Sequence, residues 1–343
     1  MRALVLKEYH RLVVEEVPAP AIGAGEVLVR VKACGICGSD VHGIDGSTGR
    51  RRPPLIMGHE ASGIVEETGP GTSGWAAGDR VTFDSTISCG ACRHCRRGEI
   101  NLCDDRRVLG VSCAEYRRDG AFAEFVAVPA RLLYRLPDAL TFEEAALVES
   151  LSIAVHAAGR LPVSPGAAAL VVGAGTIGLL AIQVLKARGC GLVAAADVAS
   201  ERLALARKLG ADAAIDTRTA DAAAEMRRLT DGWGADLVVE AVGLPATVRL
   251  AVESARKGGA LALVGNFSPE VALPLQSVVI REIALLGSCA SNGEYPECLD
   301  LMARRRVDVR PLISAVAPLA EGPSWFRRLY DREPGLLKVV LEP

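Results

Sequence analysis

Four cysteines spaced Cys89-x2-Cys92-x2-Cys95-x7-Cys103 narrow this chain's possibilities more than any other feature. Thiolates this close complete the tetrahedral shell of a zinc ion and leave no position open. The spacing therefore predicts a structural metal lobe over about residues 86–104. His94 lies inside the run, but four sulfurs already fill the shell. Arg93, His94, Arg96 and Arg97 offset part of the negative charge. Clustering of this kind is a use for cysteine other than disulfides, as expected where thiols are kept reduced. Met1 runs straight into strand-like alternation, without a basic start and an apolar stretch, so the expected location is the cytoplasm.

The charge balance excludes other uses of such a lobe. Basic residues number 39 against 41 acidic ones, for a net charge of −2, and only 4% of residues are aromatic. A zinc ribbon that grips nucleic acid needs a basic surface with interleaved aromatics, so that reading is set aside. No stretch approaches the roughly twenty apolar residues of a membrane span. At 343 residues the chain has room for about two domains with sizeable cores.

The sequence changes character near residue 150. Before it, short β-rich runs alternate with Gly and Pro turns: 2–7, 11–17, 26–32, 61–67, 79–83 and 122–128. That pattern predicts an irregular antiparallel barrel. From Ala167 onward, apolar strands at 168–172, 192–196, 213–216, 236–240, 260–264 and 282–286 alternate with amphipathic stretches such as 199–209, 221–229 and 247–255. This is the layout of a doubly wound α/β sheet. A helix over about 295–305 and a closing strand at 336–341 follow. Residues 141–161 read as one joining helix, opened by Thr141 with Glu144 at the third position.

The turn Gly173-Ala174-Gly175-Thr176-Ile177-Gly178 follows the first apolar strand and opens a helix to about Ala187. The first glycine permits the tight turn, the second lets backbone approach a pyrophosphate, and the third lets helix pack on strand. N–H groups at the helix start then hold phosphate charge. A second strand ends at Asp197, about twenty residues on, where a carboxylate accepts from the adenosine ribose hydroxyls. Negative charge there repels a 2′-phosphate, so NAD is preferred over NADP. Arg202, close enough to reach the ribose, works against that preference. The rival role for Asp197 is capping the next helix.

Three other places carry metal-ligand types. Cys37 lies in Cys34-Gly35-Ile36-Cys37-Gly38-Ser39-Asp40, where a strand turns into a helix start. His59-Glu60 precedes another strand, and Glu149 sits among apolar or small neighbours. Cys, His and carboxylate together hold zinc with a position open for water or substrate, as catalytic zinc requires.

These residues taken together resemble the zinc-containing medium-chain alcohol dehydrogenases, and within them the polyol branch typified by sorbitol dehydrogenase. The resemblance rests on Cys37-Gly38-Ser39-Asp40-Val41-His42, Gly58-His59-Glu60-Ala61-Ser62-Gly63, the cysteine lobe and Glu149-Ser150-Leu151-Ser152. It continues through the Gly173–Gly178 turn, Asp197 with Arg202, and Val264-Gly265. It implies a GroES-like β-rich catalytic domain (1–150 and 286–343) and a Rossmann NAD-binding domain (151–285), with the active site in the cleft. It implies two zinc ions per chain. Cys37, His59 and Glu60 would hold the catalytic one, with Glu149 as fourth ligand directly or through water. Ser39 would pass on the alcohol's proton, with His42 extending the relay. Gly173, Gly175, Ile177, Gly178, Asp197, Arg202, Val264 and Gly265 would contact the cofactor. A homotetramer is expected, with a homodimer as the alternative.

The chain also departs from that branch. Gly43 stands where sorbitol dehydrogenases often carry Tyr, and Ala290-Ser291 replace an Arg–Tyr pair that contacts cofactor and polyol. Those losses remove hydrogen bonds that read a sorbitol chain. The expected substrate is therefore a secondary alcohol of the polyol or sugar-alcohol type, acted on as alcohol or ketone. Threonine-type and sugar-phosphate dehydrogenases are the alternatives, and zinc-free quinone or enone reductases the rival on the same fold. Arg50-Arg51-Arg52 reads as a solvated basic loop, with attraction of a substrate phosphate as its other use.

Overall fold

The computed structural model describes residues 1–343, and the chain divides into two compact units. Met1–Glu149, Tyr295–Ala303 and Val309–Pro343 form the first; Ser150–Glu294 and Arg304–Asp308 form the second. The chain returns to the first unit at Tyr295, later than position 286, because the segment before it is tied to the second unit. There Glu294 bonds His156 at 2.6 Å.

In the first unit, strand Glu26–Gly35 alternates its side chains, burying Val27, Val29 and Val31. Branched residues at every second position give one apolar face, and that face covers the core. The strand lies between Glu60–Thr68 and Lys338–Glu342 in a seven-stranded sheet. That sheet continues through Arg80–Phe83 to Leu133–Arg135 on one side and ends at Ile313–Pro318 on the other. Phe125–Pro129 also pairs with Glu26–Gly35, and Arg2–Glu8 joins Arg11–Glu16 and Leu55–Ile56 in a smaller sheet. The core includes Leu4, Leu6, Phe83, Phe122 and Phe326.

Register in this sheet places the chemistry. Gly35 pairs with Glu60, and Val340 of the closing strand pairs with Gly35 from the other side. Segments far apart in sequence therefore converge just beyond Gly35. A side chain at position 35 would put its Cβ 2.5 Å from Glu60 Oε2, so the register needs glycine there.

The second unit is a six-stranded parallel sheet. Its spatial order is Ala213–Asp216, Leu192–Asp197, Ala168–Val172, Ala235–Glu240, Ala255–Leu263, Ala284–Gly287. Leu170, Val172, Ala194, Ala196, Val238 and Leu261 fill its core. Helices Thr176–Ala187, Ser200–Lys208, Ala222–Leu229 and Pro245–Ser254 connect the strands. The order reverses beside Ala168–Val172, so the Gly173–Gly178 turn sits at the switch point where such sheets bind ligands.

The joining helix expected over 141–161 is two helices, Phe142–Ala146 and Val148–Arg160. The Thr141–Glu144 capping box forms, with bonds of 3.2 and 2.9 Å. The break comes at Leu147, whose N–H bonds back three residues to Glu144 O at 3.0 Å. Glu149 thereby falls in the first turn of the second helix. No helix is long and apolar enough to cross a membrane.

Candidate active site

The Cys37–His59–Glu60 constellation forms within the first unit. Cys37 caps helix Gly38–Gly43, His59 precedes the strand Glu60–Thr68, and Glu60 opens it. The cysteine sulfur, a histidine nitrogen and a glutamate oxygen all lie within 4.8 Å of one another. A metal bound by sulfur, nitrogen and oxygen needs convergence of that order.

The residues around these three hold their orientation. Asp40 is fully buried in the helix turn after Cys37, and its Oδ2 faces His59 Nδ1 at 3.4 Å. Neither atom has another hydrogen-bond partner. A carboxylate behind a ring nitrogen fixes the imidazole and leaves the other nitrogen for a metal. Burial disfavours charge on His59, yet Asp40 and Cys37 hold its pKa well above the ordinary value. A metal binding here must displace that proton. Burial also acts against Asp40, but His59 and Arg51 hold its carboxyl down at about 2.

Glu60 is paired from the far end of the chain. Lys338 Nζ donates to its two oxygens at 2.7 and 2.6 Å and to Ile36 O at 3.2 Å. Glu149 lies outside the 4.8 Å group. Burial pushes its carboxyl up to about 7, with His59 lowering and Glu60 raising it.

Ser39 is exposed on the first turn of the helix, and its Oγ accepts from Arg51 Nη2 at 3.2 Å. His42 is half-buried, and burial together with Arg332 lowers its pKa, so the ring is neutral near pH 7. The basic loop is not uniformly solvated. Arg51 is 4% exposed and donates to Asp40 at 3.0 and 2.9 Å, which removes it from any phosphate-attracting surface. Sequence reasoning gave no role to Asp40 or Lys338, and read Arg51 only as part of a basic loop.

The second sulfur cluster also forms. Cys89, Cys92, Cys95 and Cys103 bring their sulfurs within 4.8 Å of one another. N–H groups point at the sulfurs: Cys92 and Ala91 donate to Cys89 Sγ at 3.3 and 3.4 Å, and Cys95 donates to Cys92 Sγ at 3.4 Å. Donation from Ala91 and Cys92 pulls the Cys89 thiol down to about 6. Such a donor set suits a four-thiolate zinc ion. His94 is turned to Glu99 at 2.9 Å and is not part of the cluster.

In the second unit, both Asp197 oxygens accept backbone N–H groups, from Ala174 at 2.6 Å and Ala199 at 2.8 Å. Asp197 is not the helix cap; Ala199 holds that position. The carboxylate is thereby tied to the glycine turn. Gly178 packs so closely that a Cβ there would lie 1.8 Å from Gly173 O, whereas a Cβ on Gly175 would meet nothing within 4 Å. Ile177 is half-buried in the same turn, and Arg202 half-buried on the next helix. Val264 and Gly265 both donate to Glu240 O, at 2.9 and 3.1 Å, at the end of the neighbouring strand.

Comparison with known proteins places the chain in a family. Residues 23–138 match the alcohol dehydrogenase GroES-like domain, and residues 176–304 match the zinc-binding dehydrogenase family. A sorbitol dehydrogenase of Bacillus subtilis is 34% identical, covering 100% of this chain and 97% of its own. An alcohol dehydrogenase from Thermus sp. ATN1 superposes with a TM-score of 0.94 at 35% identity, covering 100% of this chain and 99% of its own. Galactitol-1-phosphate dehydrogenase from Escherichia coli superposes at 0.93 with 30% identity over 100% of both chains. The chain belongs to the zinc-binding alcohol dehydrogenase superfamily and is an oxidoreductase. Within that class its similarity lies with the polyol branch.

Proposed function

We propose that this enzyme oxidises a secondary alcohol of the polyol type to the ketone, reversibly, with NAD as hydride acceptor. The observation that carries the reading is the converging Cys37, His59 and Glu60 donor set with Asp40 buried behind the imidazole. Bound there, a zinc ion would supply Lewis-acid polarisation that lowers the pKa of the alcohol. Cys37, His59 and Glu60 would hold it, Asp40 fixes the ring, and Glu149 would complete the set directly or through water. A second zinc ion in the four-cysteine lobe would serve structure alone.

Ser39 moves the proton. As the alcohol's O–H bond breaks, Ser39 Oγ accepts that proton and releases its own hydrogen toward solvent, with neutral His42 able to take it on. A bound nicotinamide would supply the hydride acceptor, so that the overall balance is one alcohol to one ketone, one reduced cofactor and one proton. Gly173, Gly175, Ile177 and Gly178 would cradle the pyrophosphate, and Asp197 with Arg202 would meet the adenosine ribose. The carboxylate supports NAD over NADP, because it repels a 2′-phosphate. The missing Arg–Tyr pair at Ala290-Ser291 and the glycine at position 43 support a substrate other than sorbitol itself. With Arg51 engaged by Asp40, a phosphorylated polyol is the less supported choice.

Ten free cysteines support a reducing, cytoplasmic setting. The one-sided edge strand Ala284–Gly287, with Leu275, Val279 and Ile280 exposed just before it, supports assembly with further copies, as a homotetramer or a homodimer. The test is a cofactor-reduction screen across polyols, sugar phosphates, amino-alcohols and simple secondary alcohols, with NAD and NADP in parallel. Zinc-dependent NAD reduction with a secondary alcohol is expected. Enone reduction by zinc-free protein, with no alcohol oxidised, would overturn the proposal.

A further inference from the structure

Arg51 is a buried cation with an unusual set of partners. Its Nε and Nη2 both donate to Asp40 Oδ1, at 3.0 and 2.9 Å. Nη2 also donates to Ser39 Oγ at 3.2 Å, and Nη1 to Arg50 O at 3.2 Å. The loop backbone is fastened on both sides of it. Ser112 N donates to Arg50 O at 3.2 Å, and Arg52 N to Ser112 O at 3.0 Å. Space for the side chain exists because position 43 is glycine. A Cβ on Gly43 would sit 2.2 Å from Arg51 Cγ. Glycine at 43 and arginine at 51 are therefore one structural unit, in which the arginine stem fills what a larger residue at 43 would occupy.

The chemistry follows from donor counting. A guanidinium has five N–H donors and no acceptor. Ser39 can therefore accept from Arg51 but never donate to it. One lone pair on Oγ is taken, which leaves one lone pair and one hydrogen with the direction between them set. We propose that Arg51 is the positioning residue of the proton relay: it fixes the Ser39 hydroxyl so that its free lone pair receives the substrate proton and its hydrogen points onward. The same guanidinium braces Asp40 and, through it, His59. No bond to carbon is made or broken by Arg51. It acts only through Ser39, and the inference rests on the relay role proposed for that serine.

The test compares wild type, Arg51→Lys and Arg51→Met, with Gly43→Ala introduced alone and together with Arg51→Ala. Zinc content, melting temperature, kcat, KM and the solvent deuterium isotope effect are read for each. Lysine keeps a cation against Asp40 but lacks the planar fork that reaches both acceptors. Arg51→Lys is therefore expected to keep its zinc and its KM for cofactor while kcat falls tenfold or more and the solvent isotope effect rises. Arg51→Met should show a larger loss of kcat together with reduced zinc content, because Asp40 is left without its cation. Gly43→Ala should lower the melting temperature in the wild-type background and leave it unchanged in the Arg51→Ala background. An Arg51→Lys enzyme with wild-type kcat and isotope effect would overturn the proposal. So would a kcat loss fully matched by lost zinc, which would make Arg51 structural only. A wild type that oxidises no alcohol with either cofactor would overturn the function beneath it as well.

Discussion

Replacing Lys338 by methionine separates the two partners that share Glu60. The Lys338 and Glu60 side chains are 3% and 1% exposed, and the ammonium bonds both carboxylate oxygens. Burial alone would lower the Lys338 pKa, yet the Glu60 charge raises it, so the lysine is an ion at neutral pH. Taking both ions out of water cancels much of their attraction, so the pair adds little net stability over an apolar one. Breaking it is different: methionine keeps most of the stem volume and strands a buried carboxylate, which costs about 3–5 kcal/mol. At about 2–4 °C per kcal/mol for a unit of this size, the metal-free variant should melt roughly 6–20 °C lower. A zinc ion held by Cys37, His59 and Glu60 would return the missing positive charge. Saturating zinc should then recover most of the loss, and the variant should bind zinc more tightly than wild type, where Lys338 competes for the same oxygens. Thermal unfolding in chelator and across stepped free zinc reads both effects. Equal losses with and without zinc would refute Glu60 as a ligand. A loss under about 1 kcal/mol would refute the buried pair itself.

The glycine turn predicts a contrast between neighbours. Gly178→Ala forces a Cβ onto Gly173 O and should unfold or strongly destabilise the second unit, whereas Gly175→Ala should melt like wild type and bind NADH at least tenfold more weakly by fluorescence titration. Asp197→Ala removes the negative charge that repels a 2′-phosphate, so kcat/KM should swing from NAD toward NADP by roughly 10- to 100-fold, about 1.4–2.7 kcal/mol; an unchanged ratio would refute its role at the ribose. The Asp40 carboxyl lies at about 2, below its ordinary 3.8. Its contribution is thus present above pH 4 and lost as pH falls toward 2, a change of about 2 kcal/mol in the metal-free protein. Urea unfolding between pH 5 and pH 2 should show that slope, and Asp40→Asn should lack that part of it.

The sheet of the second unit was legible because each strand is a short apolar run closed by turn residues. Ala168–Val172 ends at Gly173, and Leu192–Asp197 ends at the acid the cofactor turn needs. The four-cysteine lobe was legible because all its ligands are local in sequence. The partners of Cys37, His59 and Glu60 were not. Lys338 comes from the last strand and meets Glu60 only through the pairing of Lys338–Glu342 with Glu26–Gly35. Arg51 sits between two other arginines, and composition cannot reveal that one of the three turns inward over a glycine. The break at Leu147 was hidden because a tightened turn keeps helical periodicity on both sides.

Zinc content measured beside turnover tests the central claim most directly. Purified wild-type enzyme should hold two zinc ions per chain and reduce NAD with a secondary alcohol. Cys37→Ser and His59→Ala should each hold one, retained by the cysteine lobe, with cofactor affinity intact and alcohol oxidation abolished. Two zinc ions and full turnover in both variants would contradict the account.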